Sequence, residues 1–197
     1  MNHSALRSGL APLLFLAAFV LSGLPAMAGY RDYAQSLVDS PPKGVVLRPD
    51  LEAVLDEMAS AYRTGKSRPA LEASDQLREA ARAQAIDNMS RGKSSHRSGR
   101  GEEFSTRFAA YVDDAELYPA RGENAASDRR KDAANEAKAR RLFKSWLESS
   151  GHRRNLMSRD YEFVSTGVIQ RGNELWAVQI FWSKPREPGS KSIFQIQ

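Results

Sequence analysis

The C-terminal half of the chain contains a strand hairpin, and the elements before it restrict the fold. The segments Phe163 to Gln170 and Glu174 to Trp182 have the pattern of strands, and Arg171-Gly172-Asn173 between them is typical of a tight turn. Upstream, three segments place apolar residues at helical spacing. Helices followed by an antiparallel hairpin predict an α+β domain in which helices cover a sheet.

Residues that start or stop helices bound the three helical segments. The predicted helices are Pro49 to Gly65, Ser74 or Asp75 to Met89, and Ser127 or Asp128 to Glu148, the last ended by Gly151. Trp146 lies on the apolar stripe of the third helix, so we expect it to be buried. The stretch from Lys93 to Arg121 is too long for an ordinary linker, which indicates a functional or partly helical segment.

The N-terminus has the three parts of a secretory signal peptide. A basic residue lies in Met1 to Arg7, the segment Leu10 to Leu21 is almost wholly apolar, and Ala26-Met27-Ala28 is a small-x-small cleavage site. The apolar core is shorter than the ~20 residues that a spanning helix needs. We predict cleavage near Ala28, secretion to the periplasm or the medium, and no membrane span in the mature chain.

After the signal peptide of residues 1–28, the chain divides into three parts. Residues 29–48 contain Pro41-Pro42 and few periodic apolar positions, which predicts a peripheral arm with at most one short helix around Tyr33 to Val38. One domain is expected over residues 49–183, followed by a tail over 184–197. We expect a monomer by default.

Composition restricts the chemistry and the partners. The chain has no cysteine, so an exported fold must depend on its hydrophobic core rather than on disulfides. The formal net charge is +5, but acidic residues are interspersed with basic ones, and an exported protein meets little nucleic acid. We expect a small ligand or an anionic envelope polymer as partner, and no nucleic acid.

Histidine is the most informative residue type for a functional site. Of the three histidines, His3 lies in the predicted signal peptide, which leaves His96 and His152. The motif Gly122-Glu123-Asn124 lies between them, and the segment Trp146 to Leu156 includes the second histidine. Any one of these pieces alone would be a weak signal, and their ordered combination is specific.

This ordered set resembles the bacterial branch of the CAP superfamily, also called the SCP-like extracellular domain. Members of that family carry a histidine, a GEN motif, a W-x-x-S-x-G-H-R-x-N-[IL] segment and a final aromatic-rich Q-x-F strand. The resemblance covers Leu51 to Trp182. It implies a three-layer α-β-α sandwich with a central, mainly antiparallel sheet and an open cleft.

The resemblance also implies that His96, Glu123 and His152 line the cleft, with Asn124 beside them. His96, His152 and Glu123 together could bind a divalent metal such as zinc, or act as acid and base near neutral pH. Many animal and plant members have a second glutamate where this chain has Ser149. We therefore expect any metal site to have at most three ligands and to be weaker.

Each of these residues also has a structural interpretation. His152 could bond the carbonyls at a helix end, Glu123 could hold a loop closed, and Asn124 could cap the turn before the third helix. The sequence therefore assigns no catalytic residue firmly, and His152 and Glu123 remain the candidates.

We expect a secreted binding module rather than an enzyme. One alternative is a hydrolase or transglycosylase acting on peptides or cell-wall glycans, with His152 as base and Glu123 as acid or electrostatic partner. The other alternative is lipid or sterol binding, for which the apolar patch from Phe104 to Tyr111 is the only local support.

Overall fold

A computed structural model describes residues 24–187, with side chains from residue 29 onward. Most of the predicted signal peptide and the end of the predicted tail lie outside the described residues. The helices are α1 (Leu24–Asp39), α2 (Pro49–Thr64), α3 (Arg78–Ser90), α4 (Phe104–Ala109), α5 (Glu136–Glu148) and α6 (Ser150–Met157), with a 3₁₀ turn at Ala115–Leu117. The strands are β1 (Val45–Leu47), β2 (Glu72–Ala73), β3 (Arg121–Asp128), β4 (Phe163–Arg171) and β5 (Glu174–Trp182).

The strands form one mainly antiparallel sheet in the order β1-β4-β5-β3. The short strand β2 pairs in parallel with the start of β4. The predicted hairpin is confirmed: β4 and β5 pair from end to end, and the loop between them is Gly172-Asn173. Gly172 has a φ of +57°, which a glycine adopts without steric cost.

Helices cover both faces of the sheet, as the predicted sandwich requires. Side chains of β5 alternate between two hydrophobic clusters, because successive strand residues point to opposite faces. Trp176, Val178 and Ile180 pack with α3 and α4, whereas Leu175, Ala177 and Phe181 pack with α2, α5 and α6. The α-β-α architecture is therefore confirmed. Within residues 24–187, no helix is long and apolar enough to cross a membrane.

The arm predicted to be peripheral is instead part of the packed structure. Helix α1 occupies most of it, and Tyr30 and Ala34 on that helix are completely buried. These residues are four positions apart and lie on one helical face, which packs against α3.

The third helix begins later than predicted. Residues 121–128 form strand β3, and α5 starts after Asn135, whose side chain caps it by accepting a 3.3 Å hydrogen bond from the Lys138 amide. Strand β3 is rich in small and polar residues, so it lacks the usual sequence pattern of a strand. Gly151 does not end a helix either, because it lies inside α6, which Ser149 caps.

Buried charges from α2 and α3 complete one edge of β4. Neither β1 nor β2 pairs with residues 165–168 of that strand. There, Glu52 of α2 accepts a 3.1 Å hydrogen bond from the Val168 amide, and Arg78 of α3 donates a 2.9 Å bond to the Thr166 carbonyl. These side chains satisfy backbone groups that a longer neighbouring strand would otherwise pair. A cavity of about 450 Å³ lies against them.

Candidate functional site

The loop that carries His96 is held by polar side chains of α3. Gln84 donates to the carbonyls of Ser95 and Arg97 at 2.8 and 3.1 Å, and Asn88 accepts from the Ser95 amide at 3.1 Å. Asp87 accepts from the Gly99 amide at 2.8 Å. The glycine- and serine-rich loop is thereby fixed at several points along its length.

His96 and Glu123 meet directly. The imidazole Nδ1 of His96 lies 2.8 Å from Oε1 of Glu123 on β3. The His96 side chain is 55 % exposed, whereas the Glu123 side chain is 0 % exposed. The carboxylate therefore fixes one edge of the ring and leaves the other edge to face the solvent. The structure therefore places these two residues in direct contact.

Arg107 of α4 holds the same carboxylate from the other side. Its Nη2 lies 2.9 and 2.8 Å from the two oxygens of Glu123 and also donates a 2.9 Å bond to the His96 carbonyl. The Arg107 side chain is 1 % exposed, so this is a buried ion pair. Sequence reasoning missed Arg107, because nothing in its local sequence distinguishes it from the other 28 of the 29 basic residues.

Tyr30 of α1 lies beside the Arg107 guanidinium. The tyrosine is fully buried, and burial raises the pKa of its hydroxyl to about 12 while the neighbouring guanidinium opposes the rise. Within the described chain, neither the Tyr30 hydroxyl nor Nε and Nη1 of Arg107 form a hydrogen bond of good geometry. The Tyr30 hydroxyl and the Arg107 guanidinium are therefore neighbours without a hydrogen bond of good geometry between them.

The pKa values of the two histidines are shifted in opposite directions. The hydrogen bond that His96 donates to Glu123 raises the pKa of His96 above its usual value, with burial and the nearby charge of Arg107 opposing it. Burial lowers the pKa of His152, and the charge of His96 lowers it further. Near pH 7, His152 is neutral and His96 has the greater tendency to be protonated.

His152 lies in the first turn of α6, and two asparagines hold that helix to β3. Asn124 donates a 3.2 Å bond to the His152 carbonyl and accepts a 2.9 Å bond from Asn155, which also donates to the Glu123 carbonyl at 3.1 Å. Asn124 is fully buried in the middle of β3. Asn124 therefore holds α6 against β3 and does not cap a turn. Asn155 lies in the motif but had no predicted role.

Gly122 has a packing reason for its place beside Glu123. A Cβ atom at this position would collide with the Tyr161 hydroxyl and would lie 3.1 Å from Oδ1 of Asn155. The absence of a side chain lets α6 and the segment after it approach the strand closely.

The predicted metal-ligand set does not fit a metal ion. Both oxygens of Glu123 are bound to Arg107, and Nδ1 of His96 is bound to Glu123. Over the residues whose side chains are described, no three His, Asp or Glu side chains form a group that could hold a metal. The expected zinc site at His96, His152 and Glu123 is therefore unsupported.

The apolar patch that favoured lipid binding belongs to the core. Phe108 is buried between Phe104 and Tyr118, with ring centroids at 6.1 and 5.5 Å. Phe104 and Tyr111 pack against the same hydrophobic cluster. The patch is thus accounted for by packing, which removes the local support for lipid or sterol binding.

An α-β-α sandwich that presents a histidine loop, a GEN strand and a W-x-x-S-x-G-H-R-x-N-L segment on one site defines a domain of the CAP type. The family model described as CAP, the cysteine-rich secretory protein family, matches residues 57–181, and the chain belongs to this family. The predicted resemblance is confirmed. This chain nevertheless has no cysteine.

Solved bacterial structures share the fold. An outer surface protein from Borrelia burgdorferi is 18 % identical, with a TM-score of 0.60 over 71 % of this chain and 97 % of that protein. An extracellular protein with an SCP domain from Bacillus anthracis is 21 % identical, with a TM-score of 0.56 over 68 % of this chain and 41 % of that protein.

A cysteine-rich secretory protein from Staphylococcus aureus is 20 % identical, with a TM-score of 0.51 over 69 % of this chain and 39 % of that protein. This chain therefore spans well under half of the Bacillus and Staphylococcus proteins. No curated protein matches the sequence significantly.

Proposed function

We propose that this protein is a secreted binding module whose cleft takes a small anionic ligand, such as the carboxylate or phosphate group of an envelope polymer. The observation that carries the proposal is the exposed, oriented imidazole of His96. Glu123 holds Nδ1 of that ring, so the opposite nitrogen can donate a charge-assisted hydrogen bond outward. The predicted signal peptide and the extracellular relatives support the secreted location.

The charges around the cleft favour an anion over a cation. Glu123 is buried and neutralised by Arg107, so it offers no free negative charge to a ligand. Arg153 and Arg154 are exposed and follow His152 directly in sequence, and Arg97, which pairs with the exposed Glu103, follows His96. A net positive rim raises the local concentration of anions and their association rate.

The proposal predicts that anion binding weakens as the pH rises. Sulfate is a suitable probe because its charge is constant over this range. Protonated His96 binds the anion below its raised pKa and loses the charge as the pH rises through that value. We expect the sulfate affinity, followed by NMR of the histidine rings, to be about fivefold greater near pH 6 than near pH 8.5.

Two variants and a second probe control this experiment. His96→Gln should lose the pH dependence, whereas Arg97→Gln removes an adjacent exposed charge and should retain it. An equal sulfate affinity at both pH values would overturn the proposal.

Calorimetric titration with zinc should give the same heats for the unmodified protein and for His96→Ala/His152→Ala. A zinc site that is lost in the double variant would contradict the conclusion that these side chains do not fit a metal ion.

Acid-base catalysis on peptides or cell-wall glycans is the second candidate function. The opposite pKa shifts of His96 and His152 favour it, because an acid-base pair needs one protonated and one neutral group. Release of products from peptidoglycan fragments or casein peptides should then be lost in His152→Gln. Turnover that survives Glu123→Gln would contradict a role for Glu123, and absence of turnover in the unmodified protein would exclude these substrates.

A further inference from the structure

We propose that helix α1 supports the cleft, and that Tyr33 and Tyr30 on this helix are positioning residues for His96. This inference rests on the proposed function only for its consequence on ligand binding. The family match begins at residue 57, so α1 lies outside it. Three sets of contacts nevertheless connect α1 to both supports of His96, which are its loop and the Arg107–Glu123 pair.

The first connection joins Tyr33 to the histidine loop through Asp87. The Tyr33 hydroxyl donates a 2.6 Å bond to Oδ1 of Asp87, and Oδ2 of the same carboxylate accepts the Gly99 amide at 2.8 Å. A Cβ atom at Gly99 would lie 3.1 Å from the Tyr33 hydroxyl and 2.6 Å from Oδ1 of Asp87. The loop is thus pressed directly against the tyrosine, three residues beyond His96.

The second connection comes from the loop back to α1. Arg100 donates a 2.9 Å bond to the Gly29 carbonyl, and its guanidinium lies 5.2 Å from the centre of the Tyr33 ring. A cation over the face of an aromatic ring is attracted by the electrons of the ring. One arginine therefore bonds both the backbone and the side-chain surface of α1.

The third connection reaches the buried ion pair. Tyr30 lies against Arg107, whose Nη2 bonds both Glu123 and the His96 carbonyl. Tyr30 is completely buried, so its ring fixes the space that the guanidinium can occupy. Displacement of α1 would free Arg107 on one side and the histidine loop on the other.

Hydrogen exchange on Tyr33→Phe in the full chain tests this inference. The substitution keeps the ring and its packing and removes only the bond to Asp87. We expect the amides of residues 95–102 to exchange about tenfold faster, by more than the slowest amides of β4 and β5. The matched control is Tyr62→Phe, since the Tyr62 ring packs edge-on to Phe143 in the hydrophobic cluster on the other face of the sheet.

The pattern of exchange separates positioning from general stability. Unchanged exchange in residues 95–102, or acceleration that is equal there and in β4 and β5, would overturn the inference. Sulfate affinity gives a second readout, and we expect it to fall several-fold in Tyr33→Phe but not in Tyr62→Phe. If the loop loosens but the unmodified protein binds no sulfate, the positioning role of α1 stands and the anion-binding proposal fails.

Discussion

Replacing Arg107 with methionine should lower the free energy of unfolding by about 3–5 kcal/mol, because removal of one partner leaves a buried charge uncompensated. The Glu123 carboxylate is fully buried, and its bonded partners are Arg107 and His96. Methionine has a similar length, so the loss reports the missing charge more than a missing volume. Urea denaturation at neutral pH, with the midpoint and slope both fitted, measures the change.

A matched surface variant and a double variant interpret that loss. Arg97→Met removes the same kind of group beside His96, but Arg97 is 60 % exposed and pairs with an exposed glutamate, so we expect less than about 1 kcal/mol. Arg107→Met/Glu123→Gln removes both charges and should recover part of the stability. A loss in Arg107→Met no greater than that in Arg97→Met would mean that the carboxylate is not held as the structure indicates.

The buried guanidinium also explains why the motif did not predict the chemistry of the cleft. From sequence, His96, Glu123 and His152 are three possible metal ligands, and the resemblance implies that they line one cleft. What they can bind depends on Arg107, which approaches Glu123 from a helix 16 residues earlier in the chain. No spacing rule connects an arginine in a six-residue helix with a glutamate on a distant strand.

Local patterns predicted the elements that have strong periodicity. Helix α2 and the β4–β5 hairpin follow their predicted bounds closely, because Pro49 sets the start of the helix and Gly172-Asn173 makes the turn. Strand β3 was missed because its sequence, RGENAASD, has no β-branched or aromatic residue. It is a strand because β5 pairs with all eight of its residues.

The asparagines show a related limit. Asn124 and Asn155 both lie in the motifs. Asparagine is common in turns and helix caps, so its presence there indicates nothing more specific. In the structure they bond each other and hold α6 to β3, which fixes His152 relative to Glu123. Such a role depends on the contact between two elements, so neither local sequence contains it.

Trp146→Ala should lower the free energy of unfolding by about 3–5 kcal/mol, as expected for deletion of a buried tryptophan. Trp146 is fully buried on α5, as the sequence predicts, and packs edge-on against Phe143 with ring centroids 6.1 Å apart. The same hydrophobic cluster includes Leu156 of α6 and Phe181 of β5. Loss of the ring would therefore leave a void where α5, α6 and the sheet meet.

The indole nitrogen of Trp146 separates packing from polarity in this prediction. Its N–H is buried and has no hydrogen-bond partner within the described chain, so it contributes a cost to the folded state. Trp146→Phe removes that group and keeps most of the ring, and we expect a much smaller loss than in Trp146→Ala. Leu147→Ala is the control, since the neighbouring side chain is only partly buried. Denaturation curves measure the three losses, and a loss in Trp146→Ala close to that of Leu147→Ala would contradict this packing.

Because α6 carries His152, loosening of α5 should also disturb the NMR signals of the His152 ring more than those of the His96 ring. The position of His96 depends on α3 and α4 instead.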